Sequence, residues 1–159
     1  MKNILVAFAA LFAMSSANAA SVYFSGTTTE TCTIYTVQSG VLASDNNEVI
    51  QSSNVAGGMP AKIMINSNGN GFVGQVSGPS SFVSSPTLNF TPTFDVNATF
   101  TSGASIGQMW NHPAQNVADA AIPAGANEVE IFLASFAGTG NTFPLGFYDA
   151  FATVSCTAL

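Results

Sequence analysis

The sequence predicts an all-β protein with an antiparallel β-sandwich. Short stretches with strand-like alternation are separated by clusters of Gly, Pro, Asn and Ser, and they do not alternate with helical stretches as a parallel sheet would require. A closed barrel is the alternative. The length of 159 residues is typical of one domain, and 47% hydrophobic with only 6% charged residues excludes disorder caused by charge repulsion.

The clearest strand signal covers residues 88–101. Every even position is apolar and every odd position is Asn, Thr or Asp, so one face is dry and the other is solvated. Pro92 interrupts the run, and because proline cannot donate to a ladder it predicts a sheet edge or a break between two strands.

Four further segments carry structural signals. Residues 61–65 and 72–76 flank an Asn- and Gly-rich stretch at 66–71, which predicts a hairpin. Val129, Ile131 and Leu133 alternate with Glu128 and Glu130, which predicts a half-solvated strand. A final strand is predicted from Tyr148 onward, and residues 115–121 are the one candidate for a short helix.

Residues 1–19 have the pattern of a secretory signal peptide: Lys2, an apolar run over 4–14, and small residues at Ala17 and Ala19. That run is too short to span a bilayer of about 30 Å, and no later segment has about 20 uninterrupted apolar residues. The mature chain, residues 20–159, is therefore predicted to be a single domain without a transmembrane segment. Cleavage leaves Lys62 as the only basic side chain against eight acidic ones, which excludes electrostatic binding of nucleic acid.

The two cysteines, Cys32 and Cys156, lie near the two ends of the mature chain. Export to an oxidising compartment permits them to form a disulfide, and two unpaired buried thiols are the alternative. A structural zinc site is excluded because two Cys and the single His112 cannot complete a tetrahedral shell.

Catalytic, metal or cofactor sites are not predicted. Glu128 and Glu130 share one strand face at about 6.5 to 7 Å, a spacing that overlaps with glycosidase carboxylate pairs, but solvated glutamates on a strand explain them better. His112 has no matching nucleophile, and residues 45–48 are interpreted as a turn rather than a calcium loop. Met109, Trp110 and Phe143 form either an apolar contact site or part of the core.

The two ends of the mature chain resemble bacterial chaperone–usher pilins. At the front, Val22, Phe24 and Gly26 match the pilin opening, in which an apolar-x-Phe-x-Gly stretch precedes a cysteine and a strand. At the back, residues 146–156 look like the final pilin strand, and Gly146 stands 14 residues from the C-terminus, where such subunits commonly place a glycine.

The resemblance implies an immunoglobulin-like sandwich that lacks its last strand and is completed by donor-strand exchange. Residues 20–29 of one subunit would enter the groove of the next as a donor strand that includes Thr28, with Val22 and Phe24 as inserted side chains and Gly26 where the groove narrows. The groove would be flanked by the terminal strand, in particular by Gly146, Tyr148, Ala150, Ala152 and Val154.

The function implied by the resemblance is that of a non-enzymatic structural subunit of a surface filament. Such a subunit passes through the periplasm, uses a periplasmic chaperone and an outer-membrane usher, and polymerises head to tail with its own copies, because a groove-and-strand contact does not close on itself. The alternative is a monomeric secreted or surface-attached binding module, in which a disulfide between the first and last strands closes the sandwich. An extracellular enzyme is the third possibility.

Overall fold

The computed structural model describes residues 29–44, 46–53 and 55–159. The predicted signal peptide at 1–19 and the predicted donor residues Val22, Phe24, Gly26 and Thr28 lie outside the described residues. The strands, in chain order, are β1 (Cys32–Gln38), β2 (Val49–Gln51), β3 (Ala61–Ser67), β4 (Phe72–Ser77), β5 (Thr93–Phe100), β6 (Asn111–Ala114), β7 (Val117–Ile122), β8 (Gly125–Phe136) and β9 (Thr153–Ala158).

These strands form two antiparallel sheets packed face to face, which confirms the predicted β-sandwich. The first sheet has the order β1-β3-β8-β2, and β5 also pairs with β8. The second sheet has the order β6-β7-β4-β9. Over the described ranges there is no helix, and so none that could cross a membrane.

The core lies between the two sheets and follows the alternation in the sequence. In β5 the even residues Phe94, Val96, Ala98 and Phe100 are all buried, as predicted for residues 88–101, and Pro92 immediately precedes the strand. The core cluster is completed by apolar side chains from β3, β4, β7 and β8 and by Trp110, which stacks obliquely on Phe100 with ring centroids 5.6 Å apart.

Strand β8 organises the first sheet. Its first half pairs with β3, and its second half pairs with β5 on the other side. Val129 and Ile131 point into the core, as predicted, while Glu128 and Glu130 point outward. Both glutamates contact Lys62, with Nζ–Oε1 distances of 3.8 and 3.0 Å.

The predicted hairpin at 61–76 is wrong. Strands β3 and β4 both form, but β3 belongs to the first sheet and β4 to the second, so residues 68–71 arch across the sandwich. The physical reason is that Ile65 and Val76, both fully buried, reach the core from opposite sheets, whereas a hairpin would place both on one sheet. Asn-Gly turn chemistry permits either connection.

Two other predicted elements are corrected. Residues 115–121 are not a helix but contain β7, because Ala118, Ala120 and Ile122 alternate into the core and this packing overrides the helix propensity of alanine. The final strand begins at Thr153, not at Tyr148. Among the described residues, a single bridge, between Asp149 and Ser84, pairs the preceding segment, where Pro144 and Gly146 interrupt regular pairing.

A disulfide joins the two sheets along one side of the sandwich. Cys32 begins β1 in the first sheet and Cys156 lies in β9 of the second sheet, and their Cα atoms are 6.3 Å apart. The predicted pairing of the two cysteines is therefore confirmed, and it ties the first strand to the last.

Candidate functional site

A groove of about 840 Å³ runs along the side of the sandwich where β1 and β9 lie. One wall is formed by the end of β1 and the residues that follow it, from Thr36 to Ser44. The other wall is the irregular segment from Phe143 to Ala152, continued by Val154 of β9. We call this feature the groove.

The floor of the groove is apolar. It consists of Ile50, Ile63 and Ile131 from β2, β3 and β8, which are buried and face inward from the first sheet. A smaller cavity of about 100 Å³ adjoins the floor and is lined mainly by Leu42, Ala61, Ile131, Leu133, Ala150 and Ala152. The second sheet does not cover this region because β9 begins only at Thr153.

Large apolar side chains stand exposed on the rim of the groove. Leu145 and Phe147 are each 91% exposed and Phe151 is 73% exposed. Val83, which pairs with Asp149 on the same wall, is 64% exposed, and Val41 on the opposite wall is 45% exposed. Such a concentration of exposed apolar side chains around one concave surface is typical of an interaction site.

An aromatic cluster supports the wall formed by residues 143–150. Phe143 is buried and makes edge-to-face contacts with Phe82, Phe90 and Tyr148, at centroid distances of 5.9, 5.4 and 5.5 Å. The Tyr148 hydroxyl donates a 2.6 Å hydrogen bond to the carbonyl of Pro144, and burial raises the pKa of Tyr148 above its usual 10.0. The wall is therefore held from behind while its rim side chains face solvent.

Backbone hydrogen bonds join one wall to Met59, just before β3, and the other wall to residues 83 and 84. Val41 and Met59 exchange two backbone bonds of 2.8 and 2.9 Å, which holds one wall beside β3. On the other wall, Asp149 pairs with residues 83 and 84. At the far end from the disulfide the two walls approach each other, where the Phe143 amide donates a 2.6 Å bond to the carbonyl of Asn47.

The chain enters β1 at the disulfide end. The Thr31 amide donates to Asn68 Oδ1 at 2.6 Å, and Asn68 Nδ2 donates to the Thr29 carbonyl at 2.9 Å. With the backbone bond of 3.2 Å from the Asn68 amide to the Thr31 carbonyl, they continue the pairing of β1 with β3 past Cys32. Residues 29–31 are thus bonded to Asn68, at the end of the groove opposite Ser44 and Leu145.

The structure places all five predicted terminal-strand residues, Gly146, Tyr148, Ala150, Ala152 and Val154, on the groove lining. Of these only Val154 is in a strand. At Gly146 a Cβ atom would collide with the ring of Pro86, so the close packing of the wall on that loop requires a glycine there.

Sequence reasoning missed the opposite wall, residues 36–44, and the rim side chains Leu145 and Phe147. The many apolar residues between 143 and 151 could have indicated the rim. Their spacing follows neither the strand nor the helix period, so it did not predict which of them face solvent.

The other candidate side chains lie elsewhere. His112 Nε2 is 2.9 Å from both Asp95 Oδ1 and the carbonyl of Val96, at the edge of β5. Trp110 and Phe143 are buried in two different clusters, as expected for core packing, while Met109 is 65% exposed. The described residues contain no group of three or more His, Cys, Asp or Glu side chains arranged to hold a metal ion.

Within the groove lining, Asp149 is the sole charged side chain. The geometry therefore fits an extended apolar segment with main-chain hydrogen-bonding capacity better than a charged small molecule. Neither a protein-family profile, nor a curated protein, nor a solved structure matches this chain.

Proposed function

We propose that this protein is a structural subunit of a surface filament, in which the groove of one copy binds residues 20–29 of the next. The observation that carries the proposal is the groove itself, which has an apolar floor and lies between the segment that follows β1 and the segment that precedes β9. Its support comes from geometry and from the pilin-like patterns at both ends of the chain.

The edges of β1 and β9 favour a strand as the occupant. Within the described ranges, β1 pairs only with β3 and β9 pairs only with β4, so each presents unpaired backbone groups on its other side. Unpaired edges of this kind are templates for an added strand, whose alternate side chains then enter pockets. An inserted strand would bridge the two sheets in the way that a missing last strand of an immunoglobulin-like sandwich would.

The donor is proposed to come from another copy because of where the chain enters β1. Thr29 and Thr31 are bonded to Asn68 on the far side of Cys32 from the groove, so residues 20–28 would have to turn back to enter the groove of their own subunit. Self-insertion would require the chain to reverse direction within the few residues held by Asn68. Donation to a neighbour requires no such reversal.

The lengths of groove and donor match. The wall from Thr36 to Ser44 spans eight residue steps, which is at most about 26 Å in extended conformation. Residues 20–28 also span eight steps and so cover the same length. In this strand Val22, Phe24 and Gly26 share one face, which would point to the apolar floor.

The contact joins two different surfaces, so it repeats without closing and generates a filament. We infer that the subunit is exported to the periplasm, meets a periplasmic chaperone and an outer-membrane usher there, and assembles at the cell surface. The disulfide supports this route in so far as it requires an oxidising compartment.

Negative-stain microscopy and SDS gels without boiling test the proposal. The secreted protein should form fibres that resist SDS. Gly26→Trp should abolish assembly because the new ring would face the groove floor. Thr27→Trp is the matched control, since its side chain points to the opposite face of the donor strand and assembly should persist. Equal assembly by both variants would contradict strand donation.

The competing function is that of a monomeric secreted binding module. The disulfide favours it, since a covalent link between β1 and β9 stabilises the single copy without a partner. Light scattering separates the two proposals: a compact particle with the mass of one chain at high protein concentration supports the module, and a concentration-dependent series of assemblies supports the filament.

A further inference from the structure

We propose that the Cys32–Cys156 disulfide is an end stop that limits how far a donor strand enters the groove. This inference rests on the proposed function and concerns which length and register of donor the groove accepts. It makes the disulfide a determinant of specificity in addition to a stabilising bond.

The first step is the distance between the two strand edges. A strand inserted between β1 and β9 must lie about 4.8 Å from each, so the edges must be about 9.6 Å apart. At the disulfide the Cα atoms are 6.3 Å apart. A third backbone therefore cannot pass between β1 and β9 at this level.

The second step is that the neighbouring strands hold this narrow point in place. Cys32 is paired with Ser67 of β3, and Cys156 is paired with Gly74 of β4. Both cysteines also pack against the main core cluster. The disulfide therefore links two strands that are anchored in different sheets, and while it is intact the two edges cannot move apart to 9.6 Å.

The third step concerns the direction of the donor. The C-terminal end of the donor is joined to its own subunit through Thr29, so that end must leave the groove. At the far end the walls meet through the backbone bond between Phe143 and Asn47, which can open, whereas the disulfide cannot. The N-terminal end of the donor is therefore placed against the disulfide, and the donor runs parallel to β1 and antiparallel to β9.

The consequence is a maximum donor length on the N-terminal side. Toward the disulfide, the lining of the groove ends at Thr36 of β1 and Val154 of β9. The leading residue of the donor should stop beside them. While the disulfide is intact, residues added before it cannot enter between the two strand edges.

Fluorescence anisotropy with labelled peptides tests the end stop. The acceptor is the full-length secreted protein carrying Gly26→Trp, which keeps the groove but lacks a competent donor of its own. Peptides with the sequence of residues 24–29, 22–29, 20–29, 18–29 and 16–29 are compared. Affinity should rise as the N-terminus is extended to residue 20 and then remain constant within about twofold.

A second acceptor, which also carries Cys32→Ala and Cys156→Ala, tests whether the disulfide causes that limit. In this protein extension from 20–29 to 16–29 should increase affinity by about fivefold or more, because the added residues can pair beyond the former narrow point. The peptide 20–31, extended at the other end, is the control and should behave alike in both acceptors. Circular dichroism verifies that the second acceptor is folded; if it is not, the peptide series in the oxidised protein decides the question alone.

The outcomes separate the two proposals. If no peptide binds either acceptor, strand docking fails and the end stop fails with it. If the peptides bind but affinity keeps rising through 16–29 in the oxidised acceptor, or if removal of the disulfide leaves the length limit unchanged, the end stop is wrong and strand docking stands.

Discussion

Two phenylalanines on the same wall of the groove should respond to truncation in opposite ways. Phe143 is 3% exposed and anchors the wall from behind, whereas Phe151 is 73% exposed on the rim. Phe143→Ala removes three edge-to-face aromatic contacts and leaves a cavity. A buried Phe→Ala change costs about 3 to 5 kcal/mol in the free energy of unfolding, which is a large part of the stability of a small domain.

Phe151→Ala should change the free energy of unfolding by less than about 0.5 kcal/mol, because an exposed side chain has few contacts to lose. It should instead weaken filament assembly, since it removes apolar surface at the rim. Urea unfolding followed by circular dichroism measures the first effect, and SDS-resistant assembly measures the second.

Hydrogen exchange locates the damage in the Phe143→Ala variant. Phe143 belongs to the aromatic cluster at the groove and not to the main core between the sheets. We therefore expect amides in residues 143–150 to exchange faster, with a smaller increase in β3, β4 and β8. If Phe143→Ala and Phe151→Ala destabilise the protein equally, or if exchange increases uniformly, the wall is not an independently supported element and our account of it is wrong.

Three further perturbations follow from the packing and the charges. Replacing Cys32 and Cys156 by Ala removes a link across 124 residues and should lower the free energy of unfolding by about 5 kcal/mol in urea titrations. The control, Thr33→Ala with Thr157→Ala on the same strands, should change the free energy of unfolding little. An equal loss in both variants would contradict this account of the disulfide. Gly74→Ala should lower the free energy of unfolding by about 1 to 3 kcal/mol, because the new Cβ would lie 2.6 Å from Ile122 Cδ1 and 2.7 Å from Trp110 Cη2. An unchanged free energy of unfolding with unchanged Trp fluorescence would show that the core relaxes freely around the added methyl group. The hydrogen bond and charge of Glu130 raise the pKa of Lys62 above 10.5, and burial raises the pKa of Tyr148 above 10.0. The folded protein therefore holds both protons more tightly than the unfolded chain does. The stability that this difference contributes is fully present at neutral pH and is lost as the pH rises through the raised pKa values. The urea midpoint should therefore fall at alkaline pH, and Lys62→Met combined with Tyr148→Phe should reduce that fall.

The sequence was informative where one physical signal dominated. Residues 93–100 alternate strictly between apolar and polar side chains, and only a strand with one buried face satisfies that pattern. The pairing of Cys32 with Cys156 was accessible because no other cysteine competes for either of them.

The errors arose where local signals do not determine tertiary pairing. An Asn-Gly-rich turn at 66–71 reverses the chain, but whether the flanking strands pair or face each other is decided by the core that both must fill. Residues 115–121 have helical propensity from their alanines, yet Ala118 is the small side chain that pairs with the fully buried Val76 of β4. The groove was only partly predictable because its walls, 36–44 and 143–152, are largely irregular.

The position of Lys62 bears on how the protein withstands digestion. Beyond the predicted signal peptide it is the one residue after which trypsin can cut, and it lies in the middle of the first sheet, where β3 is flanked by β1 and β8. A protease cleaves chain that is extended and accessible, so cleavage there must wait until the sheet opens. Trypsin would then leave the folded protein intact and cut the unfolded one into two fragments still joined by Cys32–Cys156, so a gel with and without reductant would report the unfolded fraction directly.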